Sequence, residues 1–413
     1  MSKENADIGN NKTGNMPKSK NLPGELRALL KNNIRDYAMY IALVAIFIFF
    51  QIQTKGLFLS ALNITNLINQ AGYVSILAIG MTLILIIRHI DLSVGFVAGF
   101  TGAASALVLM KTGLNVWMAI LVSLLIGALI GLYQGTLVAY VKVPAFVTTL
   151  AGMFIFRGLL SLLTQETGSV IVNDETYKMI SQGFIPDFLS SFAGNSGYHI
   201  LTLVIGLAAV GLLVFSQIKA RINKQKYNFK VTSIPIFIVV LLISAAAIMS
   251  VIFLLASHNG LPWTAVIVAF VLLIYNFVLN KTTLGRYIYG IGGNPEAAEL
   301  SGINVRKVTL FCFVSMSTLA ALAGILYTSR IGSAATNAGV GFELDAIASS
   351  YIGGVAVSGG VGRVTNTIIG ALVIMSLTSG FNLLGVDVSY QYIAKGVIFI
   401  IAVAFDVISR KKR

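Results

Sequence analysis

Charge is scarce in this chain. Only 11% of its 413 residues are charged, against about 25% in an average soluble domain. The single cysteine, Cys312, excludes an intrachain disulfide and leaves a cysteine-based metal site without ligands. The three histidines, His89, His199 and His258, are scattered, so no histidine metal cluster is indicated. No G-x-x-x-x-G-K-[ST] run occurs, which excludes nucleotide binding through a P-loop. Neither G-x-S-x-G nor H-E-x-x-H occurs, which removes the usual marks of an embedded hydrolase. Residues 1–24 are polar, with no apolar core and no small-residue cleavage site, and are expected to be a disordered cytosolic tail rather than a secretory signal.

Apolar residues are abundant instead. They make up 56% of the chain, and the mean hydropathy is +0.86. The apolar runs are too many and too long for one core, so the expected class is an all-α polytopic membrane protein whose partner is the lipid bilayer. Forty glycines, with no G-X-Y period, suit close helix packing in lipid. Twelve spans are expected, at 38–54, 62–87, 92–110, 114–141, 145–163, 199–217, 233–256, 263–280, 308–329, 344–361, 365–384 and 390–408. The segment 344–361 begins at Glu343 and Asp345 and is rich in glycine; it also suits a broken or re-entrant helix, giving ten spans plus broken ones.

The net charge of +14 is placed as a membrane protein places it. Twenty of the 29 basic residues fall in residues 1–37, 219–230, 281–307 and 410–413. Six spans separate the first segment from the second, and two more lead to the third, so all four share a side; by the positive-inside rule that side is the cytoplasm. The longest loop of the other side, 164–198, carries Glu166, Asp174, Glu175 and Asp187 against Lys178 alone. The expected layout is a cytoplasmic tail 1–37, a transmembrane domain 38–408 with external loop 164–198 and cytoplasmic loops 219–230 and 281–307, and a cytoplasmic tail 409–413. No basic domain with base-stacking aromatics occurs, which argues against a nucleic-acid partner.

An inverted repeat is indicated. Ile126-Gly127-Ala128-Leu129 recurs as Ile369-Gly370-Ala371-Leu372, and an acid near the start of a Gly/Ser-rich span precedes each copy: Asp91 before Ser93 and Gly95, then Glu343 and Asp345. In the expected topology the copies enter from opposite sides, a recurring transporter design with the substrate path at the repeat interface.

Residues 285–307 form a polar island with its own helix punctuation. Asn294 suits a cap, Pro295 the first helical position, Glu296 and Glu299 the positive end of the dipole, and Gly302 a left-handed stop. The expected product is a two-turn helix between spans. It reads either as a contact for a soluble motor or as a structured connector.

Ionisable groups are few, so their positions inform. Arg88, His89 and Asp91 form a charged knot between two spans; Asp91 either faces a water-filled path, paired to Arg88, or sits in an ordinary interfacial loop. His89 reads as an interfacial histidine. Glu343 and Asp345, beside the expected outer mouth, read either as groups that meet a docking partner or polarise sugar hydroxyls, or as the acidic first turn of a helix. Arg157 and Lys395 are expected to snorkel. Asp406 reads as an interfacial ion partner, and Trp117 and Trp263 as aromatic-belt residues. Asn69, Gln70, Asp91, Ser93, Thr101 and Asn382 are candidates for a polar path. Most acids lie near span ends, which disfavours a proton relay and fits a pump driven by another chain's ATP.

Several stretches resemble the permease subunits of ribose/xylose-type ABC sugar importers. They are Asp91 to Gly95, Pro144 to Leu150, Leu284 to Tyr289 with Gly292-Gly293-Asn294, Ala297-Ala298 with Leu300 to Val305, and Gly341 to Ala348 with the glycines at 353–354 and 359–360. The likeness covers about 60–165 and 260–408. His89 to Ser93, Val357 to Gly362, and the additional span pair near 199–260, absent from the shorter ribose permeases, lean toward the xylose or multiple-monosaccharide branch. The resemblance implies a homodimeric, non-enzymatic transport subunit in the bacterial inner membrane. It implies a separate cytoplasmic ATPase carrying ATP and Mg, an external sugar-binding protein, and no cofactor in this chain. The family's coupling segment maps onto Gly292, Gly293, Asn294, Pro295, Glu296, Ala297, Ala298, Glu299 and Gly302 and on to Val305. Two rivals are a sugar carrier coupled to ions or protons, working without an ATPase, and a channel or receptor with no energy coupling.

Overall fold

In lipid a backbone has no water to bond, so a spanning segment must satisfy its own N–H and C=O groups, and long apolar runs become helices. The computed structural model describes residues 34–166, 168–190, 197–229 and 231–411. The expected tails at 1–37 and 409–413 lie outside the described residues up to residue 33 and at residues 412 and 413, and the side chain of Asp406 is also outside them. The long helices are α1 (Ile34–Gln53), α2 (Ala61–Ile86), α3 (Val94–Thr112), α4 (Val116–Thr136), α5 (Ala145–Thr164), α7 (Ile200–Lys226), α8 (Ile234–Ala256), α9 (Trp263–Lys281), α12 (Val305–Ile331), α14 (Val364–Leu383) and α15 (Val388–Lys411). The short ones are α6 (Glu175–Gln182), α10 (Thr283–Gly293), α11 (Pro295–Leu300) and α13 (Phe342–Ile352). A π-helical turn, Leu137–Val141, extends α4 and stops at Lys142 in a left-handed conformation. Strands β1 (Ser169–Ile171) and β2 (Ser333–Ala335) pair antiparallel.

The helices α2 and α12 form the centre, with α3, α4, α13 and α14 packed around them. Small residues allow this. On α4, Gly127, Gly131 and Gly135 follow one another at four-residue spacing against Ser317, Ala321, Phe313 and Leu310 of α12. On α12, a Cβ at Gly324 would strike the carbonyl of Ala98 on α3. By contrast α7 and α8, the additional span pair, pack chiefly on each other, and only 6% of the most apolar stretch of α8 is buried.

The expected span 344–361 is replaced by a broken crossing. Its helix, α13, has 11 residues, roughly 16 Å at 1.5 Å per residue, about half the hydrocarbon thickness. The first half is irregular chain. From the end of α12, β2 and the following turns bring the chain inward until Phe342 stacks on Tyr73, midway along α2 (ring centroids 4.8 Å apart). The helix then completes the crossing to the loop 353–363. Among the described residues of the expected external loop 164–198, β1 pairs with β2, and α6 buries Tyr177 and Ser181 against Ser105 and Ser329.

The two acid-bearing starts meet. A Cβ at Gly95 would strike the Gly339 carbonyl and the Glu343 carboxylate, and a Cβ at Gly339 would strike the Gly95 carbonyl. The first start follows the end of α2 and the second follows the opposite end of α12, so they approach each other from opposite ends of the bundle.

Glycine at such crossings is therefore structural. Gly324→Ala is expected to lower stability by about 1–3 kcal/mol, because backbone rather than a flexible side chain opposes the new methyl. Gly211→Ala, facing open space on α7, is expected to leave it unchanged. Thermal unfolding of the two variants in detergent checks the pair.

Candidate functional site

One end of the bundle carries residues 87–93, 142–144, 282–304 and 353–363. Here the polar island folds as α10 and α11. The Asn294 side chain accepts the Ala297 amide at 3.1 Å, Pro295 is the first helical residue, and Gly302 takes a left-handed φ of +83°. The amides of Gly302 and Ile303 close the helix on the carbonyls of Glu299 and Ala298. Only Ala298 faces inward; Glu296, Ala297, Glu299 and Leu300 are exposed, Leu300 at 90%. The result is an acidic turn with a bare leucine, held out from the bundle on a capped stub. Beside it a cleft of roughly 290 Å³ is lined by His89, Lys142, Glu299, Arg306 and the start of α5. Burial pushes the pKa of the His89 imidazole below its ordinary value.

The helix α10 went unread in the sequence, where only the α11 turn was expected. Its signal was present: Gly285, Ile288, Ile291 and Gly292 are buried at helical spacing, and Thr282 caps it. The base of the island is seated tightly. A Cβ at Gly292 would strike the Ile86 carbonyl and the Gly360 amide, and the Gly360 amide donates to that carbonyl at 2.9 Å.

Asp91 lies at the break between α2 and α3, fully buried. It is not paired to Arg88. Its Oδ1 accepts from the Ser93 amide (2.9 Å) and hydroxyl (2.7 Å), and Gln134 of α4 donates to that hydroxyl at 2.9 Å. Its Oδ2 has no partner among the described residues. Thr149 closes the group, donating to the Ile90 carbonyl at 3.3 Å. Gln134 and Thr149 were missed in the sequence, because a lone amide or hydroxyl in an apolar run has no periodic signature.

The other path candidates divide. Asn69 is buried with an unpartnered Oδ1, and Gln70 is half-buried on the next position of α2, one turn from Tyr73. Thr101 is spent on its own helix, donating to the Val97 carbonyl at 2.7 Å. Asn382 is exposed at the far end of α14, bonded to Gln391. Glu343 and Asp345 are displaced from the outer mouth to the interior. Lys395 of α15 does not snorkel; it bonds both oxygens of Asp345 at 3.0 and 3.2 Å, with both side chains under 20% exposed. Around mid-bundle Tyr73, Tyr327 and Phe342 pack ring against ring, and the buried Asn69 and Glu343 each leave a side-chain oxygen without a partner among the described residues. Arg157 is exposed, with its guanidinium over the Phe96 ring. No cluster of metal-ligating side chains occurs among the described residues.

Residues 63–403 match the family model described as "Branched-chain amino acid transport system / permease component". The xylose transport system permease protein of Haemophilus influenzae is 37% identical over 380 residues, covering 92% of this chain and 98% of that protein. Its counterpart in Escherichia coli strain K12 is 36% identical over 391 residues, covering 94% and 96%. The ribose import permease protein of Haemophilus influenzae is 36% identical over 350 residues, covering 84% and 86%. No solved structure matches the chain.

The buried pair gives a test of the interior. Asp345→Asn strands the Lys395 ammonium and is expected to cost about 2 kcal/mol, while the double variant with Lys395→Met recovers most of the loss. A double-mutant cycle on thermal stability measures the coupling.

Proposed function

The chain belongs to this family of transport-system permease components, and on that premise we propose that it is the membrane-spanning subunit of an ATP-binding-cassette importer for a monosaccharide. It is a multi-pass membrane protein with nine helices among its described residues that are long and apolar enough to cross a bilayer. The family description names amino acids. The relatives cited above that cover most of the chain are xylose and ribose permeases, and the mid-bundle residues carry hydroxyl-binding groups and aromatic faces. A pentose, xylose foremost, is the substrate this combination supports.

The single observation that carries the energy coupling is α11. A six-residue helix with a cap at each end, an acidic first turn and a 90% exposed leucine is overbuilt for a connector. It fits an ATPase subunit docked at that end. The same end carries Arg88, Lys142, Lys281, Arg286, Arg306, Lys307 and Arg363 against Glu296 and Glu299, and the opposite end carries Glu166, Asp174, Glu175, Asp187 and Asp387 against Lys55, Lys111, Lys178 and Arg330. This asymmetry supports placing α11 and both termini in the cytoplasm of a bacterial cell with the chain in its inner membrane. A sugar-binding protein then delivers substrate to the opposite end. A second copy of the chain completes the path, and ATP with Mg is held by the partner ATPase. Because the binding protein supplies affinity, the interior needs only modest polar groups: Asn69, Gln70 and Glu343 near mid-bundle, and Asp91 with Ser93 at the break.

Charge reversal at Glu296 and Glu299, or Gly302→Trp, is expected to abolish both co-purification of the ATPase and uptake of labelled xylose, while membrane insertion persists. Accumulation of xylose by the purified chain alone in liposomes would instead establish the self-powered carrier. Uptake of labelled leucine in place of xylose would overturn the substrate class.

A further inference from the structure

Arg88 stands in a left-handed conformation, φ +65°, which few non-glycine residues adopt without a compensating contact. Arg88 has such a contact. Its guanidinium donates through Nε to the Gly292 carbonyl at 2.7 Å and through Nη2 to the Gly293 carbonyl. These are the last two carbonyls of α10, which the helix itself leaves unsatisfied and negative. Arg88 therefore caps, from 204 residues away, the helix from which α11 hangs. Two further ties run through the same joint. The Gly360 amide donates to the Ile86 carbonyl at 2.9 Å, and Tyr289 of α10 donates to the Gly362 carbonyl at 2.7 Å. Gly359, at φ +79°, leaves no room for a side chain between itself and Arg88.

The joint thus unites three segments: the stub of α11, the end of α2 just before the Asp91 break, and the loop that ends the broken crossing through α13. From this geometry we propose that Arg88 is a positioning residue for transport. Its two-pronged hold on Gly292 and Gly293 carries displacement of α11 into both breaks at once. The proposal rests on the reading of α11 as the ATPase contact. A planar fork with two parallel donors resists rotation as well as separation, which a single ammonium does not. A push on α11 then turns the break segments as a body instead of bending the linker at Gly293.

The test uses the assembled transporter, permease with its ATPase and sugar-binding protein in proteoliposomes, carrying Arg88→Ala or Arg88→Lys. Three quantities are read: ATPase retained on the permease, ATP hydrolysed, and xylose taken up per ATP. Both variants are expected to retain the ATPase and hydrolyse ATP. Xylose per ATP is expected to fall about tenfold in the alanine variant and by less in the lysine variant. A merely structural cap would lower the yield of assembled complex and leave xylose per ATP unchanged, and that result overturns the proposal. If Arg88→Ala does not assemble, Arg88→Lys decides alone: an unchanged ratio overturns the fork and a reduced one supports it. Failure of the wild-type permease to retain any ATPase would sink the underlying reading of α11 instead, and is separately visible.

Discussion

Everything in the interior depends on the contact of two backbones, Gly95 against Gly339. Neither position tolerates a Cβ, since each would meet the other's carbonyl. Two interrupted crossings can meet only if both surrender side chains at that point. Irregular backbone at membrane depth is tolerated only where protein covers it, and each break covers the other. The meeting places Glu343 beside the start of α3 and lets Phe342 reach the middle of α2, so the polar and aromatic groups of mid-bundle follow from it.

The same economy appears at the end that carries α11. Gly292 admits the Ile86 carbonyl and the backbone of Gly360, and Arg88 satisfies carbonyls that a helix end would otherwise leave bare. The polar island is thus anchored at its base and open at its tip. A rigid base with an exposed acidic turn can transmit force; a loosely tethered loop of the same composition cannot. The peripheral pair α7 and α8 shares none of these ties, so its motion need not follow that of the core.

Much of this was legible in the residues. Long apolar runs became helices within a few positions of where hydropathy placed them, because in lipid the backbone has no alternative. Asn294, Pro295 and Gly302 act as their types suggest, since capping is local chemistry that depends on four or five neighbours. The interior was less legible. Asp345 was read at a mouth because Lys395, its partner, lies 50 residues on, and a pairing of Arg88 with Asp91 was one of two readings because the two are near in sequence. The helix α10 escaped notice although Gly285, Ile288, Ile291 and Gly292 are buried at helical spacing, because the capping residues of α11 drew the reading to the turn that follows.

Composition and pattern by themselves determined that the chain is a helical membrane protein, which way its charges are distributed, and that a capped helix interrupts its spans. These follow from solvent and short-range bonding, which each segment experiences alone. Only the tertiary structure decided that the tenth crossing is half helix and half irregular chain, which acid holds which base, and which loops Arg88 ties together. Those outcomes depend on contacts between segments more than 200 residues apart, where a single glycine or a single long side chain selects the partner.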